Sequence, residues 1–142
     1  MLRRASRSFG PAVTEVREAR GFSNRTTRGW GAAPEVVELV VSELAANAVV
    51  HARSAFTVAF TDDGDCLRIE VRDASSRHPA VPHAGITATH GRGLLLVDRL
   101  ARTWGCRDEP GGGKSVWVEL PHASPRPDTG TVPGPAGGPG RV

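Results

Sequence analysis

No stretch of this sequence is apolar for long enough to span a bilayer. The basic start, Met1-Leu-Arg-Arg, is followed by no apolar run, so no signal peptide is expected. Cysteine is scarce. Cys66 and Cys106 lie far apart, with no CxxC pair and no histidine at ligand spacing, which argues against a zinc site or a redox motif. These absences together lead to the expectation of a reduced, cytoplasmic protein. Lysine is rarer still, because Lys114 is the only one and arginine supplies the rest of the 18 Lys+Arg against 15 Asp+Glu. The arginines are scattered and only 5% of residues are aromatic, so there is no aromatic-basic strip and no direct nucleic-acid contact is expected.

What is present suits one domain. The 142 residues are 39% hydrophobic and 23% charged, enough for a core and inconsistent with global disorder. Residues 1–11 lack periodicity and read as a flexible arm, residues 12–120 as the folded domain, and residues 121–142 as a disordered tail. From His122 onward, ten of the twenty-one residues are Pro or Gly.

Within the domain, Val13, Val16, Ala19, Phe22, Thr26 and Trp30 recur at helical spacing, and Gly29 to Gly31 ends that helix. Pro34-Glu35 opens a second helix running to about His51, apolar around most of its circumference and therefore expected to be buried. Ala55–Thr61 and Leu67–Asp73 alternate as strands about a turn at Asp62–Asp65, with Leu67, Ile69 and Val71 on one face and charged residues on the other. Residues 74–90 read as a long loop of the kind that serves as a lid. Gly93–Leu100 reads as a helix entered through glycines. Thr103–Arg107 and Ser115–Leu120 form a second hairpin joined at Glu109–Gly113. The order α-α-β-β-loop-α-β-β implies a two-layer α/β sandwich, a mixed, mostly antiparallel sheet covered on one face by helices.

Three polar residues stand out on the second helix. Glu43, Asn47 and His51 are spaced by four and stack on one side of it. A buried carboxylate and amide need satisfying, and a metal-bound polyphosphate would do so. By spacing alone, a solvated stripe, or Glu43 paired with an arginine, is the better reading, since exposed Glu is commonplace. His51 suits the helix end simply by its charge against the dipole. Asp73 closes a strand and leads into the long loop. His90-Gly91-Arg92-Gly93-Leu94 brings two glycines to a helix entrance, where backbone N–H groups can approach an anion. Gly111-Gly-Gly-Lys-Ser115 imitates the end of a P-loop, but Asp108 stands where the first glycine belongs and a β-run follows.

The order and spacing of these motifs resemble the ATP-binding domain shared by gyrase, the heat-shock chaperone, sensor histidine kinases and mismatch-repair proteins, the histidine kinase-like superfamily. Within it the chain is most similar to anti-sigma-factor serine/threonine kinases. Val41-Ser-Glu43-Leu-Ala-Ala-Asn47-Ala-Val-Val-His51 resembles their N box, Glu70-Val-Arg-Asp73 the strand entering the first glycine box, Gly91-Arg-Gly93-Leu-Leu-Leu-Val97 the second box, and Gly113-Lys-Ser-Val-Trp117 the last strand. The resemblance implies ATP and Mg²⁺ as cofactors. Asn47 would hold Mg²⁺, Asp73 would accept a hydrogen bond from the adenine amino group, and Gly91, Arg92, Gly93 and Leu94 would border the phosphates. Glu43 would be the catalytic base. It implies as partners an anti-anti-sigma protein of the STAS type and a sigma factor, and leaves room for a homodimer.

The chain departs from that pattern at one place. Asp73-Ala-Ser-Ser-Arg77 replaces the usual Asp-x-Gly-x-Gly, so the turn after Asp73 lacks glycine's freedom at φ > 0. That departure keeps a second function open, a non-catalytic regulator that binds partners through a degenerate ATP site.

Overall fold

Val37, Val40, Val41, Leu44 and Ala45 recur at intervals of three and four, and this stripe is the buried side of a helix at Pro34–Ala46. The computed structural model that shows this describes residues 2–75 and 89–123, with only the backbone over 89–94. This helix, α2, follows α1 (Thr14–Thr27), whose hydroxyls are satisfied locally. Ser23 Oγ donates to the Arg20 carbonyl and Thr27 Oγ1 to that of Ser23, so both side chains are buried without cost. Gly29 and Gly31, at φ +79° and +117°, turn the chain between the two helices.

The second helix does not run to His51 as a uniform α-helix. After Ala46 it widens into a π-helical turn, Asn47–His51, in which the Ala52 N–H reaches back five residues to the Asn47 carbonyl at 3.1 Å. Nor is it buried all round, since Val50 is 45% exposed.

The alternating segments form a single sheet. β2 (Phe56–Asp62) and β3 (Cys66–Asp73) make the expected hairpin, and Gly64, at φ +97°, lies in its turn. After α3 (Thr89–Leu100), β4 (Thr103–Asp108) and β5 (Lys114–Pro121) make the second hairpin. With β1 (Arg3–Phe9), the five strands run in the order β1-β2-β3-β5-β4, and every pairing is antiparallel. Phe56, Val58 and Phe60, then Leu67, Ile69 and Val71, then Val116, Val118 and Leu120 point one way into the helices and form the core. The expected two-layer α/β sandwich is what the chain forms. No helix among the described residues is long and apolar enough to cross a membrane.

The fifth strand, β1 (Arg3–Phe9), corrects the expectation of a flexible arm over 1–11. It pairs along its whole length with β2, from Arg3 opposite Asp62 to Phe9 opposite Phe56. Its inward positions lack the usual hydrophobic signature because two of them are arginines lying over rings. Arg3 sits 5.6 Å from the Trp30 centroid and Arg7 5.1 Å from that of Phe9. Phe9 in turn stacks on Phe56 at 5.2 Å and tilts against Phe22 at 5.9 Å.

The C-terminal boundary also shifts. Pro121 still belongs to β5, and the next two residues are tied in. The Ala123 N–H donates to the Gly31 carbonyl, and His122 Nε2 meets the buried Asp62 carboxylate at 2.9 Å. Of the lid expected over 74–90, residues 76–88 lie outside the described residues and Thr89 already begins α3; of the tail expected over 121–142, residues 124–142 lie outside them. Both cysteines are free, and burial pushes each thiol up from its ordinary value, so neither is poised as a reactive thiolate.

Candidate functional site

Asp73 is the last residue of β3, and register decides its neighbours. It stands opposite Phe56 on β2 and Lys114 on β5. Lys114 Nζ donates to Asp73 Oδ2 at 2.7 Å, and both side chains are only 3% exposed. The Ser75 N–H caps the other oxygen, Oδ1, at 2.8 Å in an Asx turn. The only lysine of the chain is therefore neither a P-loop lysine nor a surface charge. It is the counter-ion of the residue expected to contact adenine. Sequence patterning missed it because Lys114 sits in what reads as hairpin-turn residues.

The glycines before it matter for the same reason. Gly112 and Gly113, at φ +106° and +88°, turn β4 into β5 as the hairpin reading expected. A Cβ on Gly113 would run into the Asp73 carbonyl oxygen. Gly113→Ala is therefore expected to cost about 1–3 kcal/mol from the left-handed backbone alone, before the clash is counted. Urea unfolding checks this, and a midpoint unchanged from the parent would refute the close packing.

Ser54 links the N-box helix to the same corner. Its N–H donates to the Ala48 carbonyl at 3.0 Å, and its Oγ accepts from the Ala74 N–H at 2.9 Å. The π-helical turn is thereby fastened beside the exit of β3, and Arg53, at φ +52°, makes the bend between them. A polar-lined pocket opens there between Val50, His51, Ala52 and Arg53 on one side and Ser75 on the other. Nothing in the sequence pattern marked Ser54. Its signal is a serine just before a strand that begins opposite Asp73.

Glu43 and Asn47 lie on the helix leading into this corner and are both half-buried, whereas His51 is exposed. The stack is thus neither a fully solvated stripe nor a buried one. Asn47 Nδ2 is buried with no hydrogen-bond partner among the described residues. A buried amide donor left unmade costs about 1–3 kcal/mol, which makes this one a candidate for a ligand contact. Gly91, Arg92, Gly93 and Leu94 fall within α3, which starts at Thr89, so the two glycines lie inside the first turns of the helix rather than ahead of it. The side chains of Arg92 and Leu94 lie outside the described residues. α3 packs against α2.

The open face of the sheet beside the corner is a ladder of paired charges. Arg107 reaches Glu70 at 2.8 Å, Arg68 reaches Glu119 at 2.9 Å, and Arg68 covers the Trp117 ring at 4.5 Å. Trp117 lies flat over Gly105, where any Cβ would meet its ring at 2.6 Å. These charges are paired with one another across the strands. The N-box corner is the better candidate.

No curated protein matches the chain in sequence. Residues 9–120, from the end of β1 to the end of β5, match the histidine kinase-like ATPase domain. With a five-stranded antiparallel sheet covered by helices and this match over most of its length, the chain belongs to the histidine kinase-like ATPase domain family, whose members bind ATP.

Proposed function

We propose that this domain is a serine/threonine protein kinase of the anti-sigma-factor type, working in the cytoplasm, which phosphorylates an anti-anti-sigma protein of the STAS class and also holds a sigma factor. The observation that carries the reading is Glu43, a half-buried carboxylate one helical turn before Asn47 in the N box. At that position it can take the proton from a serine or threonine hydroxyl as the oxygen attacks the γ-phosphorus.

The residues present suit Mg²⁺ with a nucleotide. A magnesium ion on a polyphosphate asks for one or two protein oxygens, the rest coming from phosphates and waters. Asn47 supplies such an oxygen in Oδ1, and its unpartnered Nδ2 can donate to a phosphate or a metal-bound water. No group of three or more metal-binding side chains occurs among the described residues. When bound, the ion neutralises phosphate charge and helps align the reacting group. Asp73 would accept from the adenine amino group, and the start of α3, with Gly91, Arg92, Gly93 and Leu94, would border the phosphates.

A second reading, a non-catalytic partner-binding regulator, is favoured by one observation. Both oxygens of Asp73 already accept hydrogen bonds, from Lys114 and Ser75, in a box that has lost its glycines. Calorimetric titration of the full chain separates the two. The kinase reading expects Mg²⁺-dependent ATP binding and, with a STAS-type protein, a stable phosphoserine or phosphothreonine. No binding at high-micromolar ATP leaves the regulator.

A further inference from the structure

The ion pair at the end of β3 and β5 has a property that packing does not require. A lysine ammonium carries three donors, and among the described residues Lys114 spends one of them, on Asp73 Oδ2. Asp73 has acceptor capacity beyond its two contacts, because each carboxylate oxygen has two lone pairs. The pair thus presents an acceptor and a donor 2.7 Å apart, on adjacent strand ends, at the corner where Ser54 and Ser75 bring the N-box turn to β3. The Watson–Crick edge of adenine is the complement of that arrangement, an amino donor at N6 beside a ring acceptor at N1.

We propose that Lys114 is a base-specificity residue of this ATPase domain, donating to adenine N1 while Asp73 accepts from N6. The proposal rests on the ATP-site reading above and extends it to a residue to which that reading gives no role. Lysine suits the task better than the arginine used at every other cationic position. Its ammonium is a compact point charge with rotatable donors, so it can serve a carboxylate and a ring nitrogen together, whereas a guanidinium fork would take both carboxylate oxygens. With both side chains 3% exposed, a base lacking the N1 acceptor leaves a buried donor unmade, which is how such sites reject analogues.

The experiment compares Mg-ATP with Mg-1-deaza-ATP, whose ring carries C–H in place of N1, by calorimetry on the full chain. The unaltered chain is expected to bind the deaza analogue about 10- to 100-fold more weakly, the range for losing a hydrogen bond to a charged group. Lys114→Met should bring that ratio close to one. If Lys114→Met does not fold, Lys114→Gln, which keeps a neutral donor for Asp73, should shrink the ratio by about threefold or more. Equal binding of the two nucleotides by the unaltered chain overturns the role of Lys114 and leaves the ATP site standing. So does a ratio that survives the substitution, or a preference for GTP over ATP. Binding of neither nucleotide removes the ATP-site reading, and this inference with it.

Discussion

Lys114→Met will destabilise the domain by about 3–5 kcal/mol, because it leaves the Asp73 carboxylate buried without its counter-ion. Methionine nearly matches lysine in length and shape, so the packing loss is small and the electrostatic loss dominates. Desolvating a charge costs several kcal/mol, a large part of the 5–15 kcal/mol by which a typical domain is stable. The control is the pair replaced together. Lys114→Met with Asp73→Leu removes both charges and should recover most of the loss, since apolar substitutes for a buried ion pair are often neutral or better. Urea unfolding at constant slope reads both variants. A single variant within about 0.5 kcal/mol of the parent, the range of ordinary surface changes, would mean that Asp73 does not need its partner.

Glu43→Gln will, on the kinase reading, slow phosphoryl transfer by about 10²- to 10⁴-fold, the usual contribution of a positioned general base. The amide keeps the shape of the carboxylate, so Mg-ATP affinity should stay within a few-fold. A single-turnover assay with a STAS-type protein, run beside a nucleotide titration, distinguishes the effects. Loss of binding and transfer together would point to a structural role for Glu43. Transfer at the parental rate would remove it from the mechanism.

The sequence by itself determined the parts of the fold that local spacing encodes. The buried stripe of α2, the β2–β3 hairpin with its alternating faces, and the glycine-turned β4–β5 hairpin all follow from side-chain period, and periods are read between near neighbours. Asp108, standing where a P-loop needs its first glycine, together with the β-run after Ser115, was enough to reject a P-loop at 111–115. The strand ending at Asp73 was legible for the same reason, whereas the N box was legible only through its resemblance to the family's motif.

Only the tertiary structure decided what depends on which strand lies beside which. β1 was invisible because Arg3 and Arg7 replace the apolar residues of an ordinary strand, and besides Phe9 of the strand itself the rings that accept them, Trp30 and Phe22, come from elsewhere in the fold. The π-helical turn at Asn47 depends on backbone N–H groups, such as that of Ala52, choosing a carbonyl five residues back rather than four, a choice that residue types do not record. Lys114 and Asp73 are 41 residues apart and meet because β3 and β5 pair in one register; a slip of a single residue would turn the lysine to the opposite face. The resemblance of the chain's motifs could propose the residues of an ATP site, but the strand register alone put a buried cation against the aspartate beneath it.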